Sequence, residues 1–86
     1  MNMEKIYFVV VHQVEDFAEL ALSTKPFSSI DDAKEYFNSI VEDERNNANK
    51  KGWEIETDTD TCFCAFEEGR YSENHSFVEL REEEIN

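Results

Sequence analysis

The sequence predicts an α+β domain: a two-layer sandwich of order ββαβββ, with one mainly antiparallel sheet and a single long helix packed on one face. Three observations predict it. Residues 29–51 carry apolar positions at helical spacing between a start and a stop signal. Two segments, Lys5–Gln13 and Thr61–Glu67, are β-branched, aromatic or otherwise apolar on both alternating faces. Only two glycines and one proline interrupt 86 residues, so most of the chain is regular structure forming one domain, 1–86.

Lys5–Gln13 (KIYFVVVHQ) reads as a strand. Ile6, Phe8 and Val10 point one way and Tyr7, Val9 and Val11 the other, which places it centrally in the sheet. Residues 14–23 fit two periods. Ala18, Leu20 and Leu22 alternate as in a strand, whereas Val14, Phe17, Ala18 and Ala21 fit a helical stripe. The strand is the preferred reading, with a turn near Glu15–Asp16.

Ser28 or Ser29 caps the helix, and Asp31 and Asp32 suit its positive end. Ile30, Ala33, Phe37, Ile40, Val41 and Ala48 form its apolar stripe. Lys50 and Lys51 suit the negative end and Gly52 stops it, after about 33 Å at 1.5 Å per residue. The stretch Asn46–Asn49 is weakly apolar and is expected to fray.

Trp53–Asp58 alternates Trp53, Ile55 and Thr57 against Glu54, Glu56 and Asp58, a strand with one wet face. Thr59–Asp60 is a turn, and Thr61–Glu67 a second central strand. Residues 68–74 form a loop, His75–Arg81 the last strand, and 82–86 a charged tail. One helix covers one face of such a sheet, yet two strands are apolar on both. Loops, a homodimer or a partner protein could cover the second face.

Charge excludes more than any motif does. Twenty-one acids face eight bases, net −13. Residues 1–51 hold ten acids and six bases; residues 52–86 hold eleven acids and two bases. Direct nucleic-acid binding needs cations to displace counterions, and anionic membranes repel such a chain, so both are excluded. No apolar run reaches membrane length, and Ile6–Val11 lacks the basic flank and cleavage site of a signal peptide. The expected compartment is the cytoplasm.

Cys62 and Cys64 would share one strand face, read here as core-facing thiols beside Phe66. A metal or enzymatic site at Cys62, Cys64, His12 and His75 is the alternative, although zinc sites favour wider cysteine spacing and four ligands. Asp58 and Asp60 resemble the start of a calcium loop, but Cys62 follows where an oxygen ligand belongs. No G-x-S-x-G, P-loop or HExxH is present. The expectation is therefore no catalysis, no cofactor and no metal.

The candidate interaction surface is acidic. Glu54, Glu56, Asp58 and Asp60 would line one strand face at about 6.6 Å intervals. Glu67, Glu68 and Glu73 extend it, with Tyr71 as an aromatic anchor in the loop. Such a rigid row of carboxylates can occupy a groove that normally receives phosphates.

The acidic ββαβββ plan and the SSIDDAKEYF helix start (residues 28–37) are similar to small acidic proteins of phages and bacterial mobile elements, anti-CRISPR and other anti-defence inhibitors among them. The resemblance spans the chain in size, charge and layout and assigns no residue a role. It implies a non-catalytic inhibitor or nucleic-acid mimic that binds a basic, nucleic-acid-binding protein. The alternative is a structural homodimer whose acidity serves only solubility.

Overall fold

Five strands and one helix follow in the order β1 (Glu4–Glu15), β2 (Ala18–Phe27), α1 (Ile30–Lys51), β3 (Glu54–Asp58), β4 (Cys62–Phe66) and β5 (His75–Ile85) in a computed structural model. It describes residues 4–15, 18–68 and 74–85. The strands form a single antiparallel sheet ordered β2-β1-β5-β4-β3. The α+β sandwich and the strand reading of the ambiguous second segment both hold; Lys25 pairs with Val9 and Thr24 with Val10 across the β1–β2 hairpin.

The helix begins and ends where its capping chemistry dictates. Ser29 is extended (φ −111°, ψ 128°), and its Oγ accepts a hydrogen bond from the Asp32 amide at 3.4 Å. At the other end Gly52 adopts φ 73°, a conformation that disfavours any side chain. Its amide donates to the Asn49 carbonyl at 3.3 Å, and the Trp53 amide donates to that of Ala48 at 2.8 Å. The expected fraying over Asn46–Asn49 does not occur. Ala48 is 1% exposed, and Trp53 folds back against the core just beyond the cap.

The helix buries Ala33, Phe37, Val41 and Ala48 against Val9 and Val11 of β1, Phe63 and Ala65 of β4, and Val78 and Leu80 of β5. Ile30, Tyr36 and Ile40 pack at the margin. Period-two alternation then sends Phe8, Val10 and His12, Phe77 and Glu79, and Cys62, Cys64 and Phe66 to the opposite, outer face. The cysteines and Phe66 therefore do not face the core. Phe63 and Ala65 do, because they are the β4 residues in register with buried Val78 and Ser76.

The charged tail expected at 82–86 is also corrected. β5 continues to Ile85, with Glu82, Glu83, Glu84 and Ile85 opposite Tyr7, Ile6, Lys5 and Glu4. The Lys5 ammonium lies 2.9 Å from the Glu82 carboxylate, which offsets part of the charge cost of pairing an acidic run.

One polar group interrupts the core face of β5. Ser76, 2% exposed, donates its hydroxyl to Glu44 Oε2 at 2.7 Å, and the Gln13 amide donates to the other oxygen of the same carboxylate. A helix carboxylate thus satisfies donors from two adjacent strands at the end of the sandwich.

Phe37 fills the centre of this interface at 1% exposure. Its replacement by alanine is expected to cost about 3–5 kcal/mol, against a total stability of about 4–13 kcal/mol for a chain of this length. Urea denaturation followed by circular dichroism should show that loss as a midpoint shift at unchanged slope.

Candidate functional acidic surface

The row of four carboxylates expected along β3 is split by the backbone. Glu54 pairs with Phe66 and Ile55 with Ala65, but Thr57 then pairs with Cys64 and Asp58 with Phe63. Glu56 has no partner of its own, so two β3 residues oppose Cys64 and the alternation shifts by one. Glu54, opposite the outward Phe66, stays on the outer face. Asp58, opposite the buried Phe63, turns to the helix side.

There Asp58 is held by Arg45 of α1. The guanidinium donates from Nε to Oδ2 at 2.8 Å and from Nη2 to Oδ1 at 2.7 Å. This two-pronged bond and the positive charge keep the Asp58 carboxyl below its ordinary range. Asp58 is therefore neutralised within the fold, and neither an acidic row nor a calcium loop has its carboxylate at its disposal. Asp60 is exposed in the β3–β4 turn, which Thr59 closes: its amide donates to the Cys62 carbonyl at 2.8 Å and its Oγ1 accepts from the Cys62 amide at 3.1 Å.

The outer corner gathers the remaining acids. Glu54, Glu56, Glu67 and Glu68 are all exposed. Glu54 and Glu68 come within hydrogen-bonding reach of one another, and that bond, followed by the charge of Glu68, raises the Glu54 carboxyl above its usual range. The Glu67 amide donates to the Asn74 carbonyl at 3.0 Å, which fixes the start of the strand connection. Tyr71 and Glu73, the other two residues expected in this surface, lie outside the described residues.

Beside this corner runs the apolar strip expected on the sheet face that the helix leaves uncovered. Phe66, Cys64 and Phe77 lie next to Val10 and Phe8 on the outer face, all half-buried. Glu79 sits within it between Cys62 and Val10, with the Arg81 guanidinium 3.2 Å away. The signal for the strip was the two-faced apolar pattern of β1 and β4. Which of the two faces would meet the helix was not marked.

The proposed cysteine–histidine constellation separates into two pairs. His75 Nε2 and His12 Nδ1 are 3.1 Å apart with rings edge to face, as diagonal neighbours on β5 and β1. Phe77 lies in register between His12 and Cys64 and separates those two side chains. Among the described residues no three His, Cys, Asp or Glu side chains converge as metal ligands. Burial raises both thiols above their usual pKa, helped by Glu79 at Cys62 and by Glu56 at Cys64. That opposes thiolate formation, the state needed for nucleophilic or metal chemistry.

Two outcomes follow from these electrostatics. Asp58 has a folded pKa below its unfolded value of about 3.9, so the Arg45 bond stabilises the fold above that pH and the contribution disappears as pH falls through the folded value. Arg45→Ala should therefore cost about 0.2–1 kcal/mol at neutral pH, as for a partly exposed pair, and in acid-unfolding curves the deficit should shrink as pH falls below the unfolded value of about 3.9 and Asp58 becomes protonated in both states. Alkylation of Cys62 and Cys64 by iodoacetamide at about pH 8 should run slower than that of an unstructured thiol of pKa about 8.5, read by mass spectrometry.

No helix among the described residues is long and apolar enough to cross a membrane. Comparison with known proteins finds no matching family model, no matching curated protein and no matching solved structure, so the functional reading rests on this surface's own geometry.

Proposed function

We propose that this protein is a non-catalytic interaction module whose acidic outer corner receives a basic partner, in the manner of an inhibitor or nucleic-acid mimic. The observation that carries the reading is the crowding of Glu54 against Glu68, with Glu56 on the same strand. Exposed carboxylates gathered at one corner concentrate negative potential where a cationic surface would relieve it. The adjoining strip of Phe66, Cys64 and Phe77 supplies apolar contact area that charge alone lacks.

A substrate-binding reading has less to stand on. Among the described residues the recess between the helix and the sheet end, lined by Glu44, Trp53 and Ser76, measures about 50 Å³, and the larger ones, about 260–330 Å³, are notches open to solvent on the surface of the sandwich. Small-molecule sites are typically about 300–1,000 Å³. A partner that normally grips phosphates would meet carboxylates in their place, with fast and salt-sensitive association.

The test separates a localised surface from diffuse charge. Binding of polylysine is measured by calorimetry for two triple variants of equal net charge: Glu54→Lys, Glu56→Lys, Glu68→Lys at the corner, and Glu35→Lys, Glu42→Lys, Asp43→Lys on the exposed side of the helix. The corner variant should lose about tenfold or more in affinity, equivalent to 1.4 kcal/mol, and the helix variant much less. Equal losses would show that the acids act only as a diffuse cloud, and the proposal would fail.

A further inference from the structure

β5 is paired on both sides only along part of its length. β4 lies beside it from His75 to Glu79, the Leu80 amide donates to the Thr61 carbonyl at 2.8 Å, and there the neighbouring strand stops. From Arg81 to Ile85 the strand is bonded to β1 alone. Because the Leu80 amide points towards β4, strand geometry aims the N–H and C=O groups of Glu82 and Glu84 the same way. No described strand meets them.

The place that a longer β4 would have filled is a notch of about 300 Å³. Tyr7, Leu80 and Ile30 give it an apolar lining, Thr61 closes one end, and Lys34 and Glu82 stand at its rim. The charges there are mixed: Lys34 and Arg81 line the notch together with Glu82, and Glu83 and Glu84 continue the open edge beyond it. Among the described residues Lys5 is engaged by Glu82 and Arg81 by Glu79, while Glu83 and Glu84 take no ion pair. Backbone groups arrayed for pairing, a recess for one apolar side chain and a surplus of negative charge therefore occur together.

We infer that this edge is a strand-addition site for a short, extended, basic segment of a partner protein. The segment continues the position of β4 alongside Glu82–Ile85, bonds main chain to main chain with Glu82 and Glu84, and sets one apolar side chain into the notch. Lysine or arginine side chains on the notch face then meet Glu82 and Glu84, and one on the opposite face meets Glu83. A second copy of this chain is a poor occupant. Antiparallel self-pairing about Glu83 would set Glu83 opposite Glu83 and Glu82 opposite Glu84, and like charges directly opposite destabilise a sheet. The same glutamates that keep copies apart thus select a cationic strand. The inference rests on the basic-partner reading and adds to it where, and by which backbone groups, that partner is held.

The test uses the full chain and a short capped peptide of lysines with one valine for the notch, so that lysines stand on both faces of the added strand. A second peptide of identical sequence carries N-methyl groups on the backbone amides of one edge. Amide hydrogen exchange is followed residue by residue by NMR. The unmodified peptide should slow exchange at Glu82 and Glu84 by about tenfold or more, as new ladder bonds protect them, and the methylated peptide should not. Glu83→Lys with Glu84→Lys should weaken the unmodified peptide by about tenfold, while circular dichroism shows the fold intact. If both peptides bind equally and leave those amides exchanging freely, the edge is not the site, although attraction of a basic partner stands. If neither peptide binds at low salt, the basic-partner reading falls as well.

Discussion

One helix can cover only one face of a five-stranded sheet, and the rest of this molecule follows from which face α1 covers. Phe37, Val41 and Ala48 settle on Val9, Val78 and Phe63, which commits every other residue of β1, β4 and β5 to the core. The complementary residues are then committed to the outside. Phe8, Val10, Phe77, Cys64 and Phe66 thereby form an apolar strip that the helix does not cover. A strand register chosen by packing thus determines the composition of a surface that packing does not use.

The charge distribution divides along the same line. Between the helix and the sheet, several ionic groups are engaged: Arg45 with Asp58, Lys51 with Glu15, and Glu44 with the donors of Ser76 and Gln13. Lys25 lies over the rings of Phe27 and Tyr36, and Lys51 over that of Trp53. Three of the chain's eight cations, Lys25, Arg45 and Lys51, thus hold strands to the helix. At the outer corner Glu54 finds another carboxylate, Glu68, in place of a base. A net charge of −13 would have been compatible with acids spread evenly, but the engagement of the bases elsewhere concentrates the imbalance.

The helix was legible to within a residue at both ends because each end has its own chemistry, a serine that accepts from the backbone and a glycine that tolerates φ 73°. The central strands were legible because apolar residues on both faces admit few other readings. The two faces of β4 were not distinguishable: Phe63 with Ala65, and Cys62 with Cys64 and Phe66, are equally apolar sets, and only the register with Val78 decides between them. The unbroken alternation of residues 54–58 carried no mark of the extra residue at Glu56, so the four-carboxylate row could not be seen to break. Glu82–Glu84 was read as a tail because acids are poor strand formers. Pairing with β1 overrides that preference.

The strand order has a consequence for how the molecule is assembled. β1–β2 and β3–β4 are each hairpins of neighbouring segments, and nothing joins one hairpin to the other within the sheet except β5. During synthesis both hairpins and the helix must wait, half-sheets without a spine, until the final strand emerges and is inserted between them. That insertion closes the longest loop in the chain, between β1 and β5, so the slow step of folding should be the arrival of the middle rather than the growth of an edge.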